Sequence, residues 1–460
     1  MEDQALGNIA LLYRRAGFGA RPEEVEAGVT AGYEATVESL LAGTGSAPDP
    51  GGDQVSLPPM TPPSAGGARA GAGKPAGGDP PGKAARAALH AEDALLQNWW
   101  LDRMIATSTP LREKLTLLWH GHFATGITKV RFPELMYRQN QLFRRQGAGS
   151  FEGLTQAVAK DPAMMLWLDT ARDKSAHPNE NFGRELMERL TLGVGNYGQA
   201  DVTGASQAFT GWSLSHSALG FVYHASQHYR GPITFLGHTG SLSGEDVIDI
   251  ICHRPESARF VVAGLWSHLA YPVTTSDPVV RDLTPSYSPT APLTALLRAI
   301  FLHPAFLSQA ATTGLVKQPA EYLAGAARAL GLDAGLQRRA TPPGDALPAT
   351  GKTAKVRLAE VSTVLGQTLF NPPNVGGWPQ NGYWLDTATS LTRLRAGALL
   401  ARAADLSSIE SVAPAQRPAA VATLLSVRWG PTTEAALAHA AGDPAALVAL
   451  ALSSPEYVMA

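Results

Sequence analysis

Apolar residues recur three and four positions apart along most of the chain, which is the spacing of one face of an α-helix. From Ala85 onward, for example, Leu89 and Met104 belong to one broad apolar face. Further helices are predicted to begin where Thr109 and Asp161 each precede a proline, because a capping side chain followed by proline suits a first helical turn. The pattern therefore predicts a mainly α-helical protein with a large multi-helix domain.

Three stretches depart from the helical pattern. Residues 220–237 contain two short β-prone runs around a turn, which predicts one minor β-hairpin. Residues 333–354 are rich in loop-forming residues, and residues 371–384 predict a long irregular loop whose Trp and Tyr side chains need burial. The expected fold class is therefore mainly α, with a minor β-hairpin and long irregular loops.

Composition divides the chain into three parts. Residues 1–44 are predicted to form two short helices, the second beginning at Arg21, that pack on the core. Residues 45–84 are rich in Pro, Gly and Ala and cannot bury enough apolar surface to offset their ordering entropy, so a disordered linker is expected. Residues 85–460 are predicted to form the main helical domain.

A polar cluster lies on the helix predicted within residues 177–192, HPNENFGRELMERLTL. The side chains on its polar side and border, which we predict to be catalytic, are Asn181, Arg184, Glu185 and Glu188. Carboxylates beside an amide and a guanidinium are typical of an acid/base or ligand site at the edge of a cleft. The alternative is a solvated face held by ion pairs of Arg184 with Glu188 and of Glu185 with Arg189.

A second candidate site is His120-Gly121-His122. On a continuous helix the two imidazoles point about 200° apart, whereas at a helix end broken by Gly121 they could converge on one divalent metal ion. Glu185 or Glu188 would complete a set of two histidines and one carboxylate. Histidines that only tie helix ends together are the alternative.

Charge and composition exclude several classes of protein. The 460 residues carry a net charge of −2, so no nucleic-acid-binding surface is expected. The single cysteine, Cys252, leaves no internal disulfide. No apolar run approaches the roughly 20 residues of a membrane span, and the acidic N-terminus lacks an apolar export signal, so a cytoplasmic protein is expected. The G-x-G-x-x-G of residues 193–198 follows a helix, so Gly193 is predicted to cap that helix and no cofactor-binding residues are predicted.

Several longer motifs follow one another in order along the chain. They include RRAGFG at 14–19, PLREKLTLLWHGHFAT at 110–125, PNENFGRELMERLTLGVGNY at 178–197 and LGQTLFNPPNVGGWP at 365–379. Together they resemble the bacterial domain-of-unknown-function family 1800 over nearly the whole chain. The residues that match the family's motif positions are His120, His122, Asn179, Glu180, Asn181, Arg184, Glu185 and Glu188.

The resemblance implies a predominantly α-helical fold and supplies no established activity. Members of this family are often encoded beside proteins that resemble the alkaline phosphatase and sulfatase superfamily, which implies such a protein as a partner. This chain departs from the usual family pattern, because it has His228-Tyr229 and Ile233 where the family shows His-Asp and a later Lys. Arg189 stands at a usually apolar position, and Leu11 stands where a His is common.

Two hypotheses for function follow. In the first, the chain is a hydrolase with its cleft between the helix that ends at His122 and the helix from Asn179. Glu185 and Glu188 would divide the acid and base roles, and Arg184 would bind an anionic group. In the second, the chain is a non-catalytic binding or assembly protein, and the same cluster only locks helices together. A water-accessible cavity favours the first hypothesis, and a buried network with every partner satisfied favours the second.

Overall fold

The computed structural model describes residues 2–62, 83–170, 174–215, 219–332 and 358–459. Helices predominate in this part of the chain, and each of its four strands is three residues long. The prediction of a mainly α fold with a minor β component and long irregular loops is therefore confirmed.

The helices of the described residues are numbered here in chain order. The first three are α1 (Glu2–Ala16), α2 (Pro22–Ala31) and α3 (Tyr33–Ala42). The next are α4 (Lys83–Ala106), α5 (Pro110–His122), α6 (Ile127–Val130), α7 (Pro133–Gln146), α8 (Phe151–Ala159), α9 (Pro162–Trp167), α10 (Glu180–Glu185) and α11 (Gln199–Ala208), with a π-helix at Leu186–Thr191 directly after α10.

The second half of the chain is also helical. After the strands come α12 (Gly244–Cys252), α13 (Pro255–Leu269), α14 (Pro278–Leu283), α15 (Thr294–Leu302), α16 (Gln309–Thr313) and α17 (Pro319–Ala329). The last are α18 (Leu358–Val364), α19 (Thr387–Ala403), α20 (Ser407–Glu410), α21 (Arg417–Leu425), α22 (Pro431–Ala440), α23 (Pro444–Leu452) and α24 (Pro455–Val458). Short 3₁₀ turns lie at Gly52–Gln54, Ala225–Gln227, Thr284–Ser286, Pro304–Leu307, Asn381–Trp384 and Pro414–Gln416.

Three helices, not the expected two, occupy the first 44 residues. Gly32 separates α2 from α3 with a φ of +88°, a conformation that glycine adopts without steric cost. The Tyr33 hydroxyl donates to the backbone oxygen of Phe301 at 2.9 Å, and Arg328 donates to both carboxylate oxygens of Glu24 at 2.8 and 2.9 Å. These contacts hold α2 and α3 against α15 and α17.

The expected linker, residues 45–84, is described only in part. Residues 45–62 pack against α4 and α5 around the buried carboxylate of Asp49, which accepts from the Thr107 hydroxyl at 2.6 Å and the Ser108 backbone N–H at 2.8 Å. Burial raises the pKa of Asp49, but these hydrogen bonds outweigh burial and lower the pKa to about 2. Residues 63–82 lie outside the described residues, and the division into a linker with two flanking parts stays a prediction.

Two separate hairpins replace the single hairpin expected between residues 220 and 237. The strand pairs, both antiparallel, are β1 (Trp212–Leu214) with β2 (Phe221–Tyr223) and β3 (Ile233–Phe235) with β4 (His238–Gly240). The two runs that we predicted to pair therefore belong to different hairpins, and that prediction is wrong. β3 turns directly into β4 because Leu236 and Gly237 have positive φ values of 45° and 86°, as the tightest hairpin turns require.

Two central helices carry residues of the candidate site. Every residue of α17 is buried, and α5 is buried from Pro110 to His120. α17 packs against α4, α18 and α19, so the middle of the chain and its C-terminal part share one core. Within the described residues, no helix is both long and apolar enough to cross a membrane.

The irregular loop expected at residues 371–384 is present. Trp378 and Trp384 are buried, as the need to cover large aromatic rings predicts, whereas Tyr383 is 67% exposed, contrary to that expectation. The loop lies against α5, because Gly377 approaches the backbone of Gly121 so closely that a Cβ atom at residue 377 would stand 2.1 Å from the Gly121 oxygen. The loop-rich stretch expected at 333–354 lies outside the described residues.

Candidate functional site

The helix that carries the predicted polar cluster changes its winding halfway. It is α-helical from Glu180 to Glu185 and continues as a π-helix over Leu186–Thr191. The N–H of Leu192 accordingly donates to the oxygen of Met187, five residues earlier, at 2.9 Å. The wider turn moves the side chains after Glu185 out of the positions that a 3.6-residue period predicts. Such segments are rare and occur frequently at functional sites.

The ion pairs of this segment are not the expected pairs of Arg184 with Glu188 and of Glu185 with Arg189. Arg184 donates to Glu180 at 3.2 Å and to the side-chain oxygen of Gln199 at 2.9 Å. Arg189 Nε lies 3.4 Å from Oε1 of its neighbour Glu188. Arg184 therefore faces the start of α11, whereas Glu188 and Arg189 lie together on a different part of the helix.

A cavity of about 370 Å³ opens beside the π-helix. Its walls come from α5, the π-helix, α13, the start of α17 and the irregular loop at 371–384. The polar side chains that line it are His122, Glu188, Arg189, His268, Gln318 and Gln380. Much of its apolar wall is formed by Leu117, Leu118, Phe260, Val375 and Trp378.

His122 lines this cavity with a defined tautomer. Its Nε2 lies 2.9 Å from the backbone oxygen of Leu190. A carbonyl oxygen only accepts, so Nε2 carries the proton and Nδ1 carries the lone pair. Burial lowers the pKa of His122 to about 4, so its imidazole is neutral at pH 7. A neutral imidazole with a lone pair can accept a proton or bind a metal ion.

His120 has different surroundings, because α5 continues without a break through Gly121 and directs the two imidazoles apart. The His120 ring is fully buried among aromatic rings, which belong to Trp100, Phe143, Phe370 and Trp378 at centroid distances of 5.4 to 6.0 Å. Neither of its ring nitrogens has a hydrogen-bond partner in the described part of the chain. Burial lowers the pKa of His120 to about 3.

The predicted catalytic residues separate into two groups. Glu188 lines the cavity, and its Oε2 accepts a hydrogen bond from the Tyr197 hydroxyl at 2.9 Å. Glu185 lies one turn earlier, and its Oε2 is buried with no hydrogen-bond partner among the described residues. Burial and then the charge of Glu188 raise the pKa of Glu185. Asn181 lies at the other end of the segment, where its backbone N–H donates to the capping side chain of Asn179 at 2.9 Å.

His268 is the second imidazole of the cavity, and its tautomer is also defined. Nδ1 donates to the backbone oxygen of Gly264 at 2.8 Å, because that oxygen can only accept. Nε2 therefore carries the lone pair and accepts from the side-chain amide of Gln380 at 2.6 Å. Burial lowers the pKa of His268. Both imidazoles of the cavity are thus held in the neutral form.

A different set of residues could hold a cation. Among the described residues, the one group of three or more His, Cys, Asp or Glu side chains with converging ligand atoms is Glu152, Asp249 and His253. His253 already pairs with Asp249, at 3.2 Å, and lies 3.7 Å from Glu152. These residues belong to α8 and α12 with the residue that follows it, and none of them lines the cavity beside the π-helix.

The family comparison agrees with the motif order. The model of the family described as "Protein of unknown function (DUF1800)" matches residues 11–459. The chain belongs to this family. The comparisons with curated proteins and with solved structures gave no match. The DUF1800 match covers α5, the π-helix and the loop at 371–384, and hence the whole cavity.

Sequence reasoning missed several residues of the cavity in this DUF1800 protein. His268, Gln318 and Gln380 approach His122 although they are 146 or more positions away in the chain. No spacing rule connects such distant residues. The nearest signal is the motif LGQTLFNPPNVGGWP, because Gln380 directly follows it. Arg189 departs from the family pattern and was not predicted as a site residue, yet it lines the cavity.

Proposed function

We propose that this DUF1800 protein is a hydrolase whose active site is the cavity between α5, the π-helix and α13. The observation that carries the proposal is the composition of the cavity wall, where one carboxylate and two neutral imidazoles surround a space of about 370 Å³. A concave pocket with a few convergent polar groups and perturbed pKa values is typical of an active site. The reaction class that fits this set is general acid/base hydrolysis of a small substrate.

Each side chain has a distinct role in this proposal. Glu188 is the general base that activates water, oriented by the Tyr197 hydroxyl. Glu188 then delivers that proton to the leaving group, because Glu185, whose pKa is raised by burial and by the charge of Glu188, does not line the cavity. His122 Nδ1, whose lone pair faces this site, accepts a hydrogen bond from the attacking water and holds it in position. Arg189 replaces Arg184 as the group that binds an anionic part of the substrate.

A divalent metal ion is an alternative to this acid/base route, because a His122 Nδ1 lone pair that binds a metal ion cannot also accept a proton or a hydrogen bond. Its ligands would be His122 Nδ1 and the Glu188 carboxylate, and a bound ion would lower the pKa of a water molecule at the site. His120 is not in this ligand set, because aromatic rings surround it. Asn181 and Arg184 would hold the start of the helix instead, through Asn179, Glu180 and Gln199.

The bonding of the polar residues supports a site rather than a helix lock. A purely structural network needs each buried polar atom to have a partner. Trp378 Nε1, on the cavity wall, and Glu185 Oε2, one turn before Glu188, have none in the described chain. Unmet buried polar atoms cost free energy of about 1–3 kcal/mol each and therefore need another explanation, such as a bound substrate, ion or water.

The test is hydrolysis of p-nitrophenyl acetate and p-nitrophenyl phosphate by the full chain, compared with Glu188→Gln and Glu26→Gln. Glu26 is an exposed carboxylate of α2 and serves as the matched control. Loss of the base should lower the rate by about 100-fold or more, because general-base groups contribute about that factor. Metal content measured by mass spectrometry should fall in His122→Ala if an ion is bound. Absence of hydrolysis, or equal rates for Glu188→Gln and wild type, would reject the hydrolase.

A non-catalytic binding or assembly role is the second candidate. Four apolar side chains are exposed near the start of α19, namely Tyr383 at 67%, Leu385 at 46%, Leu391 at 49% and Leu394 at 41%. Exposed apolar patches mark interaction surfaces. Under this proposal the partner is a protein that resembles the alkaline phosphatase and sulfatase superfamily, as the family resemblance implies. Sedimentation of the mixed proteins should show a complex that Leu391→Ser weakens and that Glu188→Gln leaves intact.

A further inference from the structure

A second, much smaller cavity adjoins the main one. It has a volume of about 20 Å³ and shares His268, Gln318 and Gln380 with the wall of the main cavity. This volume is close to the space that one water-sized group occupies. Its remaining polar wall includes two cationic side chains, Arg15 from α1 and Lys114 from α5. The small cavity is therefore a polar recess with room for one heavy atom.

Arg15 is buried without enough acceptors. Its side chain is 1% exposed, and its Nη2 donates to the backbone oxygen of Ala311. Its Nε and Nη1 have no hydrogen-bond partner in the described part of the chain. Burial lowers the pKa of Arg15 to about 9, which still leaves the guanidinium protonated at pH 7. A buried charged donor with unmet N–H groups is strongly unfavourable unless a further acceptor binds there.

The acidic side chain of this wall is already occupied. Lys114 Nζ donates to Glu321 Oε1, and Glu321 Oε2 accepts from the Gln318 backbone N–H at 3.0 Å. One carboxylate therefore faces two cations, Arg15 and Lys114. The wall of the small cavity keeps an excess of one positive charge, and Arg15 is the side chain whose charge is not balanced.

We propose that the small cavity binds one oxygen atom of an anionic group, a carboxylate or a phosphate, whose remaining atoms lie in the main cavity. The inference rests on the proposed function, and it makes the substrate of that site a small anion. Guanidinium N–H groups match the oxygens of carboxylates and phosphates, and such charge-assisted bonds are the strong ones. The 20 Å³ volume admits a single oxygen and not a whole phosphate, so the ligand must extend toward His268 and Gln380.

Equilibrium dialysis of the full chain against radiolabelled acetate and, separately, radiolabelled phosphate tests this site at constant ionic strength. We expect saturable binding of at least one of the two anions with a stoichiometry near one. Acetate binding alone identifies a carboxylate substrate, phosphate binding alone identifies a phosphorylated one, and both support the proposal. No saturable binding of either anion would overturn it.

Two variants and a control locate the bound anion. Arg15→Gln should weaken binding by about tenfold or more, the usual effect of removing a charged hydrogen-bond donor. Leu315→Phe keeps every charge and fills the small cavity, so it should also abolish binding and stays informative if Arg15→Gln fails to fold. Arg298→Gln, which removes an exposed guanidinium paired with Glu38, should bind as wild type. Unchanged binding in Leu315→Phe would place the anion elsewhere and reject the site.

The failure of this inference and the failure of the proposed hydrolase are distinguishable. Dialysis needs no turnover, so anion binding that Leu315→Phe removes establishes the small cavity even if Glu188→Gln leaves hydrolysis unchanged. Conversely, hydrolysis that depends on Glu188 while neither anion binds keeps the enzyme and rejects the anionic substrate. A substrate with an anionic end should then be hydrolysed no faster than its neutral analogue.

Discussion

The Tyr197 hydroxyl donates a 2.9 Å hydrogen bond to Oε2 of Glu188, the carboxylate of the main cavity. The eight residues between them include the end of the π-helix and Gly193, whose φ of +80° reverses the chain just after the helix. The bond therefore joins the two ends of this turn. Burial and then the hydrogen bond to Glu188 raise the pKa of Tyr197 to about 12, so its hydroxyl remains a donor at neutral pH.

Replacing Tyr197 with Phe should remove this bond without changing the shape of the side chain. We expect Tyr197→Phe and Glu188→Ala each to lose about 1 kcal/mol of unfolding free energy in urea, the usual net value of a hydrogen bond. The double variant should lose less than the sum of the two, because both changes break the same interaction. Tyr223→Phe, at a half-exposed position, is the control. Additive losses would show that the two side chains do not interact in solution.

The helical fold could be predicted from the sequence, but the position of Glu188 could not. The 3.6-residue period and the sequences Thr109-Pro110 and Asp161-Pro162 place helices where the structure has α5 and α9, although the Asp161 side chain caps its helix and the Thr109 side chain does not. The π-helix adds one residue to the turn after Glu185, and no pattern in HPNENFGRELMERLTL distinguishes it from an α-helix. Because of this extra residue, the expected ion pairs, in particular that of Arg184 with Glu188, do not form.

The composition of the cavity depends on tertiary contacts that local patterns do not encode. His122 was a candidate because of its spacing from His120, yet the residues that complete its cavity, His268 and Gln380, come from a distant helix and loop. From the sequence, the imidazoles of His120 and His122 could either point apart on a continuous helix or converge at a helix end. Local structure selects between them, because α5 does not break at Gly121. Tertiary packing also decides which strands pair, and there the sequence-based interpretation was wrong.

A buried ion-pair network under α4 should dominate the stability of this region. Glu113 is fully buried and accepts from Arg103 Nε and from Arg144 Nη2, both at 2.9 Å. Glu113→Gln leaves the buried guanidinium of Arg144 without its counter-charge, whereas Arg103 keeps Asp53 at 2.7 Å, and the loss should cost about 3–5 kcal/mol of unfolding free energy in urea. Glu134→Gln, which removes an exposed i,i+4 pair with Arg138, should cost about 0.5 kcal/mol. Similar losses in the two variants would contradict the buried pairing.

The stability that Glu113 and its arginine partners contribute depends on pH in a defined direction. Burial raises the pKa of Glu113, but Arg144 and Arg103 outweigh burial and lower it below the unfolded value. The pair therefore contributes its full stability at neutral pH and loses it as the pH falls through the lowered pKa. The difference between wild type and Glu113→Gln should shrink in acid.

The effect of Asp161 on stability should depend on pH in the opposite direction from that of Glu113. Burial raises its pKa from 3.8 to about 7, although the backbone N–H of Met164 and the amide of Gln139 lower it in part. The folded chain therefore binds more protons than the unfolded chain between about pH 4 and 7, so stability decreases as the pH rises through that window. Asp161→Asn keeps an acceptor for both donors and removes the charge. It should be more stable than wild type at pH 8 by about 2–4 kcal/mol.

The measurement is urea unfolding at pH 5 and pH 8. Asp386 offers a matched control, because it also caps a helix, α19, through a bond from the Thr389 backbone N–H at 2.7 Å. That hydrogen bond lowers the pKa of Asp386, so Asp386→Asn should show no gain at pH 8. An Asp161→Asn variant without a gain at pH 8 would show that Asp161 is solvated in solution.

His120 should make the protein sensitive to acid. Burial lowers its pKa to about 3. As the pH falls below about 6.5, His120 therefore becomes protonated in the unfolded chain and stays neutral in the folded chain. The stability contributed by neutral His120 is therefore present above pH 6.5 and is lost as the pH falls toward 3.

His120→Leu removes two buried nitrogens that lack partners in the described chain, and it should match or exceed wild-type stability at pH 7. Its dependence on pH between 6 and 4 should be weaker by about 1.4 kcal/mol per pH unit. His439→Leu, at an exposed position of α22, should leave that dependence unchanged. A loss of more than about 3 kcal/mol at pH 7 in His120→Leu would instead mean that its nitrogens bind a group in solution, because a ring held only by apolar contacts tolerates an apolar replacement of similar size.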